Sequence, residues 1–205
     1  MRAHALILAA GQGRRFGGGK LHALYRGRSL LAYVLDVAVA ALEGGLLDGG
    51  HVVVAADDEQ ALRLSHRLGL STIINHAPGL GLSNSVRLGL AALEAQAQDE
   101  QDAAVIFLGD QPLVRLQVVA ALVARWRQGG AAIVRPRYQG RPEVPGHPVL
   151  LTRPVWPAVN QLQGDQGFGP LFDSASFETV TLSVPGENPD VDTQADLLGL
   201  EESSR

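Results

Sequence analysis

Three groups of residues in this chain have the types and spacing that chemistry requires. The first is Gly11-Gln12-Gly13-Arg14-Arg15-Phe16-Gly17-Gly18-Gly19-Lys20, with five glycines and three cations in ten positions directly after an apolar run. Glycine lets backbone N–H groups approach phosphate oxygens closely, and the cations neutralise them, so this composition makes an anion cradle. It is not a dinucleotide fingerprint, because Phe16 stands where G-x-G-x-x-G needs its last glycine. Nor is it a Walker loop, because Leu21 rather than Ser or Thr follows Lys20. The bland alternative is a flexible basic turn. Its place at the carboxyl end of the first predicted strand favours a ligand.

The second group is acidic. Leu108-Gly109-Asp110-Gln111-Pro112 ends another apolar run and puts a carboxylate at the carboxyl edge of a sheet. Asp190-Val191-Asp192-Thr193 lies near the C-terminus, where Asp192 or Thr193 is also suited to cap a closing helix. The third group is polar and glycine-rich: Gly79-Leu80-Gly81-Leu82-Ser83-Asn84-Ser85, then Gly146-His147-Pro148 and Gly164-Asp165-Gln166-Gly167. Ser83 has the position and type of an N-cap for the helix that follows, with Ser85 in its first turn. The six histidines are scattered, with no H-E-x-x-H, and no serine sits in a G-x-S-x-G elbow at a strand end.

The elements that must position these groups follow from hydrophobic pattern. Uninterrupted apolar runs at 5–8, 52–54, 72–74 and 104–108 suit strands buried on both faces. Helical patterns over 30–42, 59–68, 83–97 and 116–128 alternate with them, which predicts a doubly wound, mostly parallel, Rossmann-like α/β sheet. Asp57-Asp58-Glu59 reads as the solvated start of one such helix. After Gly130 the rhythm changes. Strands at 131–134 and 147–151 flank a Pro/Gly/Arg-rich stretch and read as an antiparallel hairpin grafted onto the sheet. A short helix at 156–162, a strand at 179–184 and a helix within 192–200 close the chain, and 201–205 is expected to fray. Trp126 and Trp156 read as packing residues.

Composition bounds the rest. A chain of 205 residues predicts a single domain able to build a full core. Hydrophobic residues at 46% and charged residues at 19% exclude disorder, and a net charge of −4 argues against nucleic-acid or anionic-membrane partners. The run at 3–10 is too short to cross a bilayer and leads into the glycine loop rather than a cleavage site, so it reads as a strand. With no cysteine there is no disulfide or thiolate site, which fits a cytoplasmic location, and any metal must be held by oxygen or nitrogen. Glycine is the outlier, 24 residues or about 12% against roughly 7% on average.

L-A-A-G-x-G-x-R-F-G-G-x-K, read from Leu8 to Lys20, resembles the signature loop of nucleotidyltransferases that use an NTP as donor. The compact Gly-Gly-x-Lys form is similar to the molybdenum cofactor guanylyl- and cytidylyltransferases of the MobA-like NTP transferase superfamily. The later segments follow in that family's order: G-x-S-x-S-x-x-x-G closing at Gly89, G-D-x-P at Asp110, G-H-P at His147, G-D-x-G at Asp165 and D-x-D-T at Asp192. The resemblance implies a nucleotide-diphospho-sugar transferase-like fold over residues 1–205, with 1–110 mainly binding NTP and 111–205 mainly binding the acceptor. It places Leu8, Ala9, Ala10, Gly11, Gly13, Ser83 and Ser85 around the nucleotide. Arg15 and Lys20 become catalytic cations on its phosphates, with Arg14 a weaker match. It makes Asp110 the catalytic metal ligand for Mg²⁺ (or Mn²⁺), with Asp192 the second ligand and Asp190 a weaker candidate. It turns His147 and Asp165 toward the acceptor.

The implied reaction joins an NTP to the phosphate of molybdopterin and releases pyrophosphate. Ala9-Ala10-Gly11 resembles the cytidylyltransferases, where guanylyltransferases more often carry Leu-Ala-Gly-Gly, and the Ala10 methyl narrows the space beside the base; CTP is therefore expected over GTP. A molybdenum hydroxylase or its chaperone is the implied protein partner. The resemblance departs at Gly167-Phe168-Gly169, where relatives often have Gly-Ala-Arg, and the connection 141–146 is longer than usual. Losing that arginine leaves the acceptor open, so a sugar phosphate or other small phosphorylated acceptor stands as the rival, and a non-catalytic nucleotide-binding module as the remoter one.

Overall fold

A computed structural model describes residues 1–143 and 146–202. In chain order the strands and helices are β1 (Ala3–Ala9), β2 (Leu24–Tyr25), β3 (Arg28–Ser29), α1 (Leu30–Glu43), β4 (Gly49–Ala55), α2 (Glu59–Arg67), β5 (Ser71–Asn75), α3 (Leu82–Glu94), β6 (Ala103–Leu108), α4 (Leu116–Arg127), β7 (Ile133–Tyr138), β8 (Val149–Thr152), α5 (Gly169–Phe172), β9 (Thr179–Val184) and α6 (Gln194–Glu202). A 3-10 helix, Arg153–Gln161, follows β8. Residues 144–145, inside the long connection before His147, and 203–205, the end of the tail expected to fray, lie outside the described residues.

One seven-stranded sheet runs in the order β5-β4-β1-β6-β8-β7-β9. Only β8 opposes the common direction, pairing antiparallel with both β6 and β7. The chain leaves β1, builds outward through β4 and β5, then returns to the other side of β1 as β6. That reversal creates a crevice outside the carboxyl ends of β1 and β6, where open α/β sheets bind ligands.

β1 is buried along its whole length because both of its faces are covered. Ala5, Ile7 and Ala9 pack toward α1 and α4, with Leu31, Leu35, Leu122 and Trp126. Leu6, Leu8 and Ala10 pack toward α3 and the 3-10 helix, with Val86, Leu90, Leu93 and Trp156. An unbroken apolar run is therefore what this strand requires. Asp58 caps α2, its carboxylate accepting the Ala61 N–H at 2.9 Å, as the acidic run 57–59 predicts. No helix among the described residues is long and apolar enough to cross a membrane.

The expected hairpin forms, with Ile133 opposite Leu151 and Val134 opposite Leu150. It is built into the sheet rather than appended to it, because β8 is buried at all four positions and takes its other hydrogen bonds from β6. A second, unanticipated hairpin joins β2 to β3 through Arg26 and Gly27 at φ 49 and 79, the positive angles a two-residue type I′ loop needs.

Asp102 locks the connection into β6 against the start of β1. Its fully buried carboxylate accepts N–H bonds from Arg2 at 2.7 Å, Gln98 at 3.1 Å and Asp99 at 3.3 Å, and faces the Arg2 guanidinium. Burial alone would raise its pKa, but those donors and Arg2 outweigh burial and the pKa is lowered. A depressed folded-state pKa means that the stabilisation is complete above the unfolded value near 3.9 and is lost as pH falls through the folded one. Asp102→Asn should therefore destabilise the fold by about 1–3 kcal/mol at pH 7 in urea denaturation, the difference from wild type shrinking below about pH 4. A pH-independent difference would contradict this account.

Candidate active site

The glycine loop leaves β1 and folds back on itself. The N–H groups of Phe16 and Gly18 both donate to the Gly13 carbonyl at 3.0 Å. The Phe16 ring enters an apolar socket of Tyr25, Leu30, Val191 and Leu200 and pins the outer side of the loop. Gly13 is held at φ 57, and a Cβ there would stand 2.8 Å from the Lys20 Cβ, so the turn needs glycine at that point.

This turn points Lys20 inward, leaving it only 9% exposed. Its Nζ donates to Asp110 Oδ2 at 2.6 Å and to Asp192 Oδ1 at 3.0 Å. Arg15 Nη1 lies 3.0 Å from the other Asp192 oxygen. Burial would lower the Lys20 pKa, but the attraction of Asp110 and Asp192 exceeds it and raises the pKa above that of free lysine. The ammonium is thus charged at every physiological pH.

Each carboxylate is placed by a separate element. Asp110 follows the end of β6 after one intervening residue, Gly109. Val191 donates its N–H to the Asp110 carbonyl at 3.2 Å and buries its side chain beside Phe16, setting Asp190 and Asp192 on either side. Thr193, not Asp192, caps α6: its Oγ1 accepts the Asp196 N–H at 3.2 Å while Asp196 Oδ2 accepts the Thr193 N–H at 2.7 Å. The Asp192 carboxylate is left for Lys20 and Arg15.

These groups line a cavity of about 520 Å³ outside β1 and β6. It brings together Leu8, Ala10, Gly11, Gly13, Arg14, Arg15, Lys20, Ser85, Asp110, Asp165, Asp190 and Asp192 from the expected set. Ala9, Ser83 and His147 do not line it. Ala9 belongs to the opposite core. Ser83 is not the N-cap: Gly81 holds that position at φ 87, and the Ser83 hydroxyl is buried in the first turn with no partner among the described residues. The cap arrives from across the molecule. The Leu82 N–H donates to Asp165 Oδ1 at 3.2 Å and the Ser83 N–H to the Gly164 carbonyl at 3.0 Å. A larger groove of about 640 Å³ between α3 and the 3-10 helix, floored by Leu90 and Trp156, contains none of the motif residues apart from Arg87.

A buried amide chain runs from the hairpin to the carboxylates. Tyr138 Oη and Asn188 Nδ2 donate to the His147 carbonyl at 2.7 and 3.2 Å. Asn188 Nδ2 also donates to Gln111 Oε1 at 3.2 Å, and Gln111 Nε2 donates to Asp190 Oδ1 at 2.7 Å. The His147 Nε2 is enclosed without a partner among the described residues, and burial pushes the ring pKa down to about 4, so the imidazole is neutral. Asn75, whose Nδ2 donates to the Ser85 hydroxyl at 3.0 Å, Gln111 and Asn188 were not singled out from sequence. Adjacency to Asp110 and Asp190 is the one signal that points to the latter two.

No group of three or more His, Asp or Glu side chains among the described residues forms a metal cage. Asp110 Oδ1, however, is buried with no partner among the described residues. An orphaned carboxylate oxygen in an all-oxygen donor set suits a hard divalent cation that takes its remaining ligands from phosphates and water.

A mostly parallel sheet with a glycine-rich loop after its first strand, and carboxylates at its topological switch point, places the chain among α/β folds that bind ligands at the carboxyl edge of the sheet. The family profile of the MobA-like NTP transferase domain matches residues 5–180, and the chain belongs to this family. A curated relative, the 2-C-methyl-D-erythritol 4-phosphate cytidylyltransferase of Psychrobacter cryohalolentis, is 35% identical over 123 residues, which span 58% of this chain and 41% of that protein. The crystal structure of Rv0371c from Mycobacterium tuberculosis superposes with a TM-score of 0.79 at 25% identity, covering 98% of both chains. A manganese complex of Rv0371c superposes at 0.78 with 27% identity over 99% of this chain and all of that one.

Two predictions follow from the geometry. A Cβ on Gly81 would lie 2.3 Å from the Gly164 carbonyl carbon at a φ that L-residues resist, so Gly81→Ala should cost at least ~1–3 kcal/mol in urea denaturation. A substitution that leaves stability unchanged would refute the contact. Burial and the nearby Asp110 raise the Asp190 pKa despite the Gln111 hydrogen bond. A raised carboxyl pKa penalises the folded state once the group ionises, a penalty absent below the unfolded pKa near 3.9 and complete above the folded one. Asp190→Asn should therefore gain stability relative to wild type as pH rises from about 4 to 7, read as the difference in Tm; a constant difference would rule this out.

Proposed function

We propose that this protein is a cytidylyltransferase that joins the CMP part of CTP to the phosphate of a small phosphorylated acceptor, molybdopterin, and releases pyrophosphate. The observation that carries this reading is the convergence of Lys20, Asp110 and Asp192 beside the glycine loop at the switch point of the sheet. CTP is supported by the Ala10 methyl in the cavity wall and by the cytidylyltransferase named among the curated relatives. Molybdopterin is supported by the Gly-Gly-x-Lys, G-H-P and D-x-D-T motifs in family order. A second reading, a small phosphorylated polyol as acceptor, is favoured by the absence of a cation at Gly167-Phe168-Gly169 and by the acceptor in that relative's name.

In the reaction, an oxygen of the acceptor phosphate forms a bond to the α-phosphorus of CTP, and the bond from that phosphorus to the bridging oxygen breaks, its electron pair leaving on pyrophosphate. A phosphomonoester is already ionised at neutral pH, so no side chain has to remove a proton. The neutral His147 is consistent with that economy. Loop N–H groups between Gly11 and Gly19 hold the triphosphate, and Arg15 and Lys20 stabilise the charge that gathers on the leaving group. Asp110 and Asp192 would hold a divalent cation, Mg²⁺ or the Mn²⁺ found with Rv0371c, which would supply positive charge to offset the negative charge of the phosphates. Gln111 and Asn188 orient the carboxylate side without adding charge.

Pyrophosphate release should be measured with each of CTP, GTP, ATP and UTP, plus Mg²⁺ and either molybdopterin or 2-C-methyl-D-erythritol 4-phosphate. CTP with molybdopterin is expected to turn over, and Asp110→Ala to lower kcat at least ~100-fold with the circular dichroism spectrum unchanged. Turnover with the polyol phosphate alone would select the second reading. Turnover retained by Asp110→Ala would remove the mechanism.

A further inference from the structure

We propose that Lys20 is the resident counter-ion of the Asp110–Asp192 pair, and that a divalent cation takes that place only as Lys20 moves to the triphosphate, so that metal and nucleotide bind as a coupled pair. The inference rests on the nucleotidyltransferase reading and adds to it a rule of binding order.

The geometry points this way. Lys20 Nζ sits 2.6 Å from Asp110 Oδ2 and 3.0 Å from Asp192 Oδ1, between the two carboxylates that would hold the metal. The second Asp192 oxygen is paired with Arg15 at 3.0 Å. Among the oxygens of these two groups, Asp110 Oδ1 alone has no partner among the described residues. A divalent cation and an ammonium sharing that site would repel each other across about 3 Å in a partly desolvated pocket, far beyond thermal energy. Occupancy by one therefore opposes occupancy by the other.

Lysine is suited to the exchange. It is a compact point charge on a flexible four-carbon stem, unlike the planar fork of arginine. The glycine loop lines the same cavity as the carboxylates, so Nζ can pass from carboxylates to phosphates held by that loop without leaving it. The wall carries three cations, Arg14, Arg15 and Lys20, against four carboxylates, Asp110, Asp165, Asp190 and Asp192. A triphosphate entering alone meets a formally negative wall. A metal entering alone must evict a lysine that has nowhere better to go. Together each supplies what the other lacks: the metal neutralises the carboxylates, and the phosphates receive the ammonium. A ligand gains from its partner only what it contributes differentially to the shared state, and here that contribution is the release of Lys20.

The test is Mn²⁺ binding to the full chain, followed by electron paramagnetic resonance with no nucleotide present. Lys20→Met should bind Mn²⁺ at least about tenfold more tightly than wild type. Lys20→Gln, which keeps a hydrogen-bond donor and guards against a folding defect in the first variant, should move the same way. Arg14→Gln removes a cation from the same wall that makes no ion pair among the described residues, and should change Mn²⁺ affinity less than about threefold. Equal affinities for the Lys20 and Arg14 variants, or wild-type binding as tight as that of Lys20→Met, would overturn the place-holder role. A thermal shift with CTP plus Mn²⁺ separates the two levels of the argument. Stabilisation by the pair with no Lys20 effect on Mn²⁺ alone defeats only this proposal, whereas no stabilisation by the pair defeats the nucleotidyltransferase reading beneath it.

Discussion

The ammonium of Lys20 is the point on which the site depends. It joins residues 90 and 172 positions apart, from the loop after β1, the end of β6 and the segment before α6. Burying an ammonium is expensive, and mutual attraction with carboxylates offsets that cost only when the geometry is good. Replacing a buried ion pair by well-packed apolar groups is often neutral or stabilising. The charge is therefore poorly explained by stability and well explained by a pocket whose ligands are themselves charged. Through it, three segments distant in sequence converge where the sheet reverses direction.

The surrounding contacts hold that convergence in register. Phe16 and Val191 share one apolar socket, so the glycine loop and the acidic C-terminal segment cannot shift independently. Gly81 and Gly164 touch backbone to backbone, closing the start of α3 with a loop from the other half of the chain. The Tyr138–His147–Asn188–Gln111–Asp190 chain ties the hairpin to the carboxylates through neutral amides. Amides suit this task because they fix a carboxylate's orientation by donating to it, without competing as cations for its charge.

Much of this was legible in the sequence, and the limits are physical. The run at 5–8 announced a strand buried on both faces, and the order of runs and helical patterns announced the parallel sheet. Where β8 would lie was not legible, because an apolar strand carries no mark of its neighbours; its insertion between β6 and β7 is a tertiary choice. β2 and β3, two residues each, are too short to show a period. Ser83 looked like a cap because Ser is the local rule at helix starts, and the rule lost to Asp165, which approaches from 83 positions away. Gln111 and Asn188 stood inside recognised motifs, yet only folding shows that their two amides bond to each other directly.

The glycine excess also acquires a sharper meaning. Gly13 lets the loop return to the root of Lys20, and Gly81 lets Gly164 reach the start of α3. In both places glycine brings one of the protein's own charges to a position of opposite sign. Lys20 comes between two carboxylates. Asp165 comes to the N-terminus of α3, where exposed N–H groups and the helix dipole favour an anion. Lys20, Arg15, Asp110, Asp165 and Asp192 are thus paired within the pocket, cation to carboxylate and carboxylate to helix end. A cavity built this way spares its buried charges the cost of standing alone. It also sets a condition on any ligand: to bind tightly, it must replace both halves of a pairing it breaks. A neutral or singly charged molecule cannot do this, whereas a polyanion accompanied by a divalent cation can.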